Sequence, residues 1–197
     1  SKIFDFPNAS DCFPGVQIKG GVCYFLWEKN NMGPCDITSI DSDGNISKST
    51  RFLLEKDTDV FIRYNDAVKI FQKVRSQKEK CFNKIISARK PFGLETSFKS
   101  FQAKKDEKNR ILLYANKKQG YIAEGLIRKN NSWLNEYKLF VPYAIGSGDS
   151  KSDIVKPILG EPGSACTETY LVFGPFSSKK RAENVMSYIN TKFFHFL

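Results

Sequence analysis

Apolar residues along this chain fall mainly into short runs of strand length. Residues 20–29 form a nearly continuous aromatic and β-branched run, which predicts a strand buried on both faces. Residues 36–41 and 46–54 predict a hairpin, because the Asp43-Gly44 pair between them suits a tight turn with positive φ at both positions. Residues 59–63 predict one more short strand.

The period of the apolar pattern changes after residue 64. Asn65 is a suitable cap for a helix with one apolar face, formed by Ala67, Val68, Ile70, Phe71 and Val74. Residues 87–96 predict a loop, because Pro91 and Gly93 interrupt regular structure there.

Strand-like runs return in the second half of the chain. Residues 111–115 and 120–127 predict two strands, and residues 137–145 predict a third, in which Pro142 indicates an edge position or a bulge. Residues 163–194 predict a polar loop, a buried strand and an amphipathic helix. Ser177 or Ser178 would cap that helix, whose apolar stripe is Ala182, Val185, Met186 and Ile189.

Composition indicates a folded protein of a reducing compartment. The 197 residues are 41% hydrophobic and 14% aromatic, enough for a core of one medium domain or of one domain with part of another. No apolar run reaches the roughly 18 residues that a membrane span needs, and no secretion leader is visible, so we expect a cytoplasmic protein. Five cysteines at wide spacings do not indicate a disulfide framework, and Cys23 is expected in the core.

Charge is unevenly distributed along the chain. The net charge is +10, and residues 69–110 alone carry thirteen basic and four acidic side chains. Concentrated positive charge favours a surface that contacts a phosphate backbone. A solvated, lysine-rich helix face is the alternative interpretation.

No catalytic or metal-binding pattern is visible in the sequence. The single histidine, His195, lies in an apolar run near the end, so no triad can be assembled around it. Paired cysteines with zinc spacing, a Walker loop and a glycine-rich dinucleotide turn are all missing. We therefore predict no catalytic residues and no metal site in this chain.

A series of short phrases carries a family resemblance. They are Phe4-Asp-Phe6, Ile18-Lys-Gly-Gly-Val-Cys-Tyr-Phe-Leu-Trp27, Arg63-Tyr-Asn-Asp-Ala67, Lys90-Pro-Phe-Gly-Leu94, Tyr137-Lys-Leu-Phe-Val-Pro142, Glu161-Pro-Gly-Ser164, Thr167-Glu-Thr-Tyr170 and Ser187-Tyr-Ile-Asn-Thr-Lys-Phe-Phe194. In this order they resemble the C-terminal end of adenine-specific DNA methyltransferases of bacterial restriction–modification systems, of the TaqI-like and fused restriction-methylase type. His195 stands where an arginine would be usual.

The resemblance implies a DNA-reading fragment and not an active enzyme. The family's Asn-Pro-Pro-Tyr loop and its glycine-rich motif for S-adenosylmethionine are missing, and both would lie upstream of Ser1. Residues 1–63 would be the last strands of the methyltransferase core, and residues 64–197 the target-recognition domain. The implied fold class is α/β (α+β): a mixed sheet with a capping helix and a C-terminal amphipathic helix. The implied partners are double-stranded DNA and the upstream core of the same chain. This fragment would hold no cofactor, since S-adenosylmethionine would bind that core.

Candidate DNA contacts lie in the polar loops. Cations would neutralise phosphates, and paired donors and acceptors would read base edges, with Arg89 addressing guanine and Glu168 accepting from cytosine. The full set is Arg89, Lys90, Phe92, Gly93, Glu95, Thr96, Lys117, Lys118, Ser147, Lys151, Ser164, Thr167, Glu168 and Thr169.

Two other functions fit the same sequence. The chain would be a protein-docking or scaffolding fragment if its sheet contacts a methyltransferase or nuclease partner and has no DNA affinity. It would bind single strands if aromatic residues act as stacking platforms, for which the candidates are Phe92, Phe98, Phe101 and Tyr121.

Overall fold

The structure is a computed structural model, and it describes residues 1–16, 18, 20–56, 58–144 and 155–194. Its helices and strands form an α+β fold, which confirms the predicted class. Contacts divide the chain into two compact units, Ser1–Glu79 and a second that begins at Lys80. The boundary expected from the sequence lies sixteen residues earlier, so residues 64–79 go with the first unit. None of the described helices is long and apolar enough to cross a lipid bilayer.

The first unit contains a four-stranded mixed sheet. Its strands are β1 (Lys2–Phe6), β2 (Val22–Leu26), β3 (Cys35–Ile40) and β4 (Ile46–Arg51). Their order is β2-β1-β3-β4, in which β1 and β3 are parallel and the other neighbours antiparallel. Burial alternates along β3, as expected for a strand with one face on a core.

Strand β2 lies at the edge of this sheet and is largely exposed. The exposed fraction is 70% for Phe25 and 69% for Trp27, which directly follows the strand. The prediction of a strand buried on both faces is therefore wrong for the described chain, as is the placement of Cys23 in the core. A strand is buried on both faces only where other residues pack over each face, and the exposed side chains show that few described residues pack over β2.

The predicted β3–β4 hairpin is confirmed, with Ile40 opposite Ile46. Its connection is longer than a two-residue turn, and within it Gly44 alone has a positive φ, +79°. The Asp41 carboxylate closes the connection by accepting the N–H groups of Asp43 at 3.0 Å and Asn45 at 2.8 Å. Side-chain hydrogen bonding therefore replaces the second positive-φ position that the sequence predicted.

Helix α1 (Asn65–Arg75) begins where the sequence predicts a helix. Tyr64 is its cap residue, because the Asn65 side chain is engaged elsewhere, donating to Ser47 Oγ at 3.1 Å and accepting from Arg51 Nε at 3.2 Å.

The strand predicted over residues 59–63 is wrong. The Ile62 carbonyl accepts from the Arg51 guanidinium and not from a neighbouring strand. Ile62 is nevertheless buried, and it packs with Ala67 and Val68 of α1 in a small core. Its apolar character therefore reflects contact with the helix.

The described residues of the second unit form two three-stranded sheets and an α-helix. In chain order these elements are β5 (Asn109–Ala115), β6 (Lys118–Ala123), β7 (Tyr137–Pro142), β8 (Ile158–Gly160), β9 (Ser164–Cys166), β10 (Tyr170–Phe176) and α2 (Lys179–Ile189). One sheet has the order β6-β5-β9, with β5 and β9 parallel, and the other has the antiparallel order β10-β7-β8. The strands predicted in this half of the chain are confirmed near their predicted positions.

Strand β7 is buried on both faces. Phe140 packs with side chains of both sheets, including Leu113 and Val172, whereas Leu139 and Val141 pack towards helix α2. The strand is central in its sheet, so the edge position inferred from its proline is wrong. That proline is the last residue of the strand, where a missing N–H interrupts no internal pairing.

Helix α2 confirms its predicted cap and apolar stripe. Ser178 Oγ accepts the Arg181 N–H at 3.4 Å. Ala182 and Ile189 are fully buried, and Val185 and Met186 pack against the same cluster.

Candidate nucleic-acid interface

The loop of residues 87–96 is attached to the second unit near both ends. The Ser87 N–H donates to the Val172 carbonyl at 2.8 Å, and Ser87 Oγ accepts the Val172 N–H at 2.9 Å. Further along the loop, the Glu168 N–H donates to the Leu94 carbonyl at 2.9 Å. The loop therefore lies alongside the segment that joins β9 to β10.

A buried aromatic ring holds the middle of this loop. The Phe92 side chain is fully buried in the main core and meets Trp133 edge to face, with ring centroids 6.3 Å apart. Lys90 and Gly93 have positive φ values of +57° and +78°, so the backbone reverses direction around the buried ring. The neighbouring polar residues are thereby presented at the surface.

Three residues predicted to contact DNA are buried, so those three predictions are wrong for the described structure. Phe92 and Thr167 have no exposed surface and Ser164 is 2% exposed, so their side chains are not available to a ligand. These three residues pack beneath the polar surface and support it. Phe98 and Phe101, expected as platforms for single strands, pack against the same core.

Glu168 places a nearly buried carboxylate beside the loop. The side chain is 10% exposed, and Oε1 accepts the Thr96 N–H at 3.2 Å. Oε2 lies 3.0 Å from Arg89 Nε and 3.9 Å from Lys90 Nζ, and it forms no hydrogen bond within the described part of the chain. Two cations therefore compensate one buried charge, which would be costly if left alone.

Arg89 lies between this carboxylate and an aromatic ring. Its guanidinium carbon is 5.4 Å from the centroid of Tyr143, within the range of a cation–π contact. The Arg89 side chain is 59% exposed, and Tyr143 is 53% exposed. Sequence reasoning missed Tyr143. Its only signal was an aromatic residue directly after the proline that ends β7.

Hydroxyl groups continue the polar surface next to Glu168. Thr96 Oγ1 lies 3.4 Å from Thr169 Oγ1, which in turn lies 3.0 Å from Thr167 Oγ1. The Thr169 carbonyl accepts the Tyr143 N–H at 2.8 Å, which joins this row to the aromatic ring. The hydroxyls of Thr96 and Thr169 can each donate or accept, so they suit a ligand with mixed polar edges, while the buried Thr167 hydroxyl supports Thr169 from beneath.

Lys90 and Glu95 form an exposed pair at the same surface. Lys90 Nζ donates to Glu95 Oε1 at 2.8 Å, and this hydrogen bond raises the pKa of Lys90 and lowers the pKa of Glu95. An exposed pair stabilises the fold little, so both groups remain available to a ligand. We call the surface formed by Arg89, Lys90, Glu95, Thr96, Tyr143 and Thr169 the Arg89 surface.

Two further predicted cations, Lys117 and Lys118, are exposed where β5 turns into β6. Strand β9 runs parallel to β5, and the Thr167 N–H donates to the Tyr114 carbonyl at 3.0 Å. Parallel strands end at the same edge of a sheet, so this turn and the segment after β9 leave the sheet on one side.

The remaining predictions concern residues that the structure does not describe and the question of a metal site. Ser147, Lys151 and His195 lie outside the described residues. Among the residues that are described, no group of three or more His, Cys, Asp or Glu side chains is placed to hold a metal ion.

Comparison with known proteins gives one short likeness. A segment of 28 residues is 54% identical to the "Uncharacterized adenine-specific methylase" of Mycoplasma pneumoniae, and it covers 14% of this chain and 7% of that protein. No protein-family model matches the chain, and no solved structure matches it at a significant level. The likeness supports a loose relationship to methyltransferases and covers a small part of either chain.

Proposed function

We propose that this chain is a DNA target-recognition module that works with the core of an adenine-specific methyltransferase. The observation that carries the proposal is that the loop 87–96 lies beside residues 168–169, so that the Arg89 surface is assembled from two distant segments. There, Arg89 and Lys90 lie within ion-pair distance of the Glu168 carboxylate, and the hydroxyls of Thr96 and Thr169 lie within hydrogen-bonding distance of each other. The short likeness to a methylase points to the same class of protein.

In this proposal the Arg89 surface faces duplex DNA. Lys117 and Lys118 neutralise phosphates and set the register, while guanidinium and hydroxyl groups read base edges. A methyltransferase rotates its adenine out of the duplex, and a module that clamps the flanking DNA assists that step. S-adenosylmethionine would bind the methyltransferase core and supply the methyl group, so this chain would contribute binding and site selection.

Binding to a pool of random duplex DNA tests the proposal directly. The 197-residue chain is titrated with salt, and the retained DNA is sequenced. We expect retention that falls with salt and enrichment of a short motif, since phosphate contacts release counterions and base contacts select sequence. Absence of retention at low salt would exclude the proposal.

The phosphate contacts have a matched charge control. Replacing Lys117 and Lys118 by alanine is expected to lower the salt slope of log K by about one to two units, because each phosphate contact contributes roughly 0.9. The control variant replaces Lys104 and Lys105, exposed residues that precede β5 at its other end and carry the same charge. Equal slopes for the two variants would show that charge acts without regard to position.

Protein docking is the second candidate function, favoured by the exposed apolar side chains of β2. Phe25, Leu26 and Trp27 are each more than half exposed, and β2 is an edge strand. The occupant in this case would be a methyltransferase core, in keeping with the likeness to a methylase. Salt-insensitive association with such a core, together with no DNA affinity, would favour this function over DNA recognition.

A further inference from the structure

We propose that Glu168 is a positioning residue that orients the Arg89 guanidinium towards a guanine, and so makes one G·C pair part of the recognised site. This inference rests on the proposed function. It adds the identity of one contacted base and of the residue that sets the geometry of the contact.

The guanidinium of Arg89 is restrained on two sides. Its Nε lies 3.0 Å from Glu168 Oε2, and its central carbon lies 5.4 Å from the centroid of the Tyr143 ring. Glu168 is itself held, because its N–H donates to the Leu94 carbonyl and its Oε1 accepts the Thr96 N–H. A fixed arginine loses less conformational entropy on binding than a free one.

The restraint leaves the far edge of the guanidinium open. Nε is the guanidinium nitrogen that lies 3.0 Å from Glu168 Oε2, so the two Nη atoms are left for a ligand. Two parallel N–H donors match the O6 and N7 acceptors of guanine in the major groove. The exposed fraction of the Arg89 side chain, 59%, leaves that edge accessible.

Charge favours a base over a phosphate as the ligand of Arg89. The neighbouring Glu168 carboxylate offsets the positive charge of the guanidinium, which weakens its attraction for an anion. The N–H donors are unaffected, and guanine is a neutral acceptor. Phosphate contacts are better made by cations without such a partner, and Lys117 and Lys118 have no ion-pair partner among the described residues.

Glu168 does not itself reach a base. Its carboxylate is 10% exposed and is occupied by Thr96 and Arg89, so the expected contact with cytosine is replaced by an action through Arg89.

The test uses the DNA motif selected by the 197-residue chain and three variants. Arg89→Lys keeps the charge and removes the fork, Glu168→Gln keeps the acceptor for the Thr96 N–H and removes the charge, and Tyr143→Leu removes the ring. We expect Arg89→Lys to lose about 5- to 150-fold of the preference for G at one position, the range for one bidentate contact. Glu168→Gln and Tyr143→Leu should lower the preference for G at the same position by smaller factors. The melting temperatures of these free variants should be close to that of the parent chain.

Base analogues separate a guanine contact from a phosphate contact. Replacing that guanine by 7-deazaguanine should weaken binding by the parent chain and have no further effect on Arg89→Ala, which has no donor for N7. Arg89→Lys with an unchanged motif, or Arg89→Ala with uniformly weaker binding and a lower salt slope, would overturn the guanine contact while leaving the proposed function in place. If Arg89→Lys weakens the preference for G while Glu168→Gln and Tyr143→Leu leave it unchanged, the positioning role of Glu168 would be overturned. No DNA binding by the parent chain would overturn both proposals.

Discussion

Lys138 has no exposed surface although it carries an ammonium group. Its Nζ donates to the backbone carbonyls of Glu136 at 2.8 Å and Glu161 at 3.4 Å. Burial lowers the pKa of Lys138 to about 8, and it raises the pKa of the nearby Cys166 thiol. The lysine therefore ties the residues after β8 to the start of β7 at an electrostatic cost.

That cost predicts a pH dependence of stability. Between the folded pKa of about 8 and the ordinary value, the unfolded chain binds a proton that the folded chain has released, so the free energy of unfolding rises with pH. Relative to Lys138→Met, the parent chain should gain about 2 kcal/mol between about pH 7 and pH 10. Urea unfolding across that range measures the difference, in which the opposing contribution of Cys166 largely cancels. Parallel pH profiles for the two chains would contradict the lowered pKa.

At the scale of elements, the start of α2 shows how a local signal acts. Ser178→Ala removes the oxygen that accepts the Arg181 N–H, and we expect a loss of about 1 kcal/mol in the free energy of unfolding. Ser177→Ala is the matched control, because within the described parts of the chain that hydroxyl accepts only from the exposed Arg181 side chain, at 3.3 Å. Denaturant midpoints measure both variants. Equal losses would show that the cap is not the cause.

The elements that sequence reasoning predicted well depend on neighbours along the chain. Helix α2 has its cap and its apolar stripe within one segment, and the β3–β4 hairpin has its turn residues between its strands. Residues 59–63 have the composition of a strand, but the Ile62 carbonyl in this segment accepts from an arginine and not from a neighbouring strand. Composition does not reveal which partner a backbone group finds.

At the scale of the whole molecule, the second unit has its own two apolar clusters and contains every residue of the Arg89 surface. We therefore expect residues 80–197 to fold alone and to retain the sequence selection of the full chain. A cooperative thermal transition of this fragment, followed by DNA selection, measures both properties. The matched fragment of residues 1–79, with its exposed β2, should self-associate at lower concentration. A non-cooperative transition for residues 80–197 would show that the second unit depends on the first.

The sequence by itself determined the α+β class, most strands and helices, and the basic and polar loop residues from which a DNA interface was predicted. These features follow from periodicity, turn chemistry and charge, which act between near neighbours. Only the tertiary structure decided that Phe92, Ser164 and Thr167 are buried supports and that Arg89 meets Glu168 and Tyr143. Arg89 and Glu168 are 79 positions apart, and their contact exists because backbone hydrogen bonds hold the loop beside the end of β9.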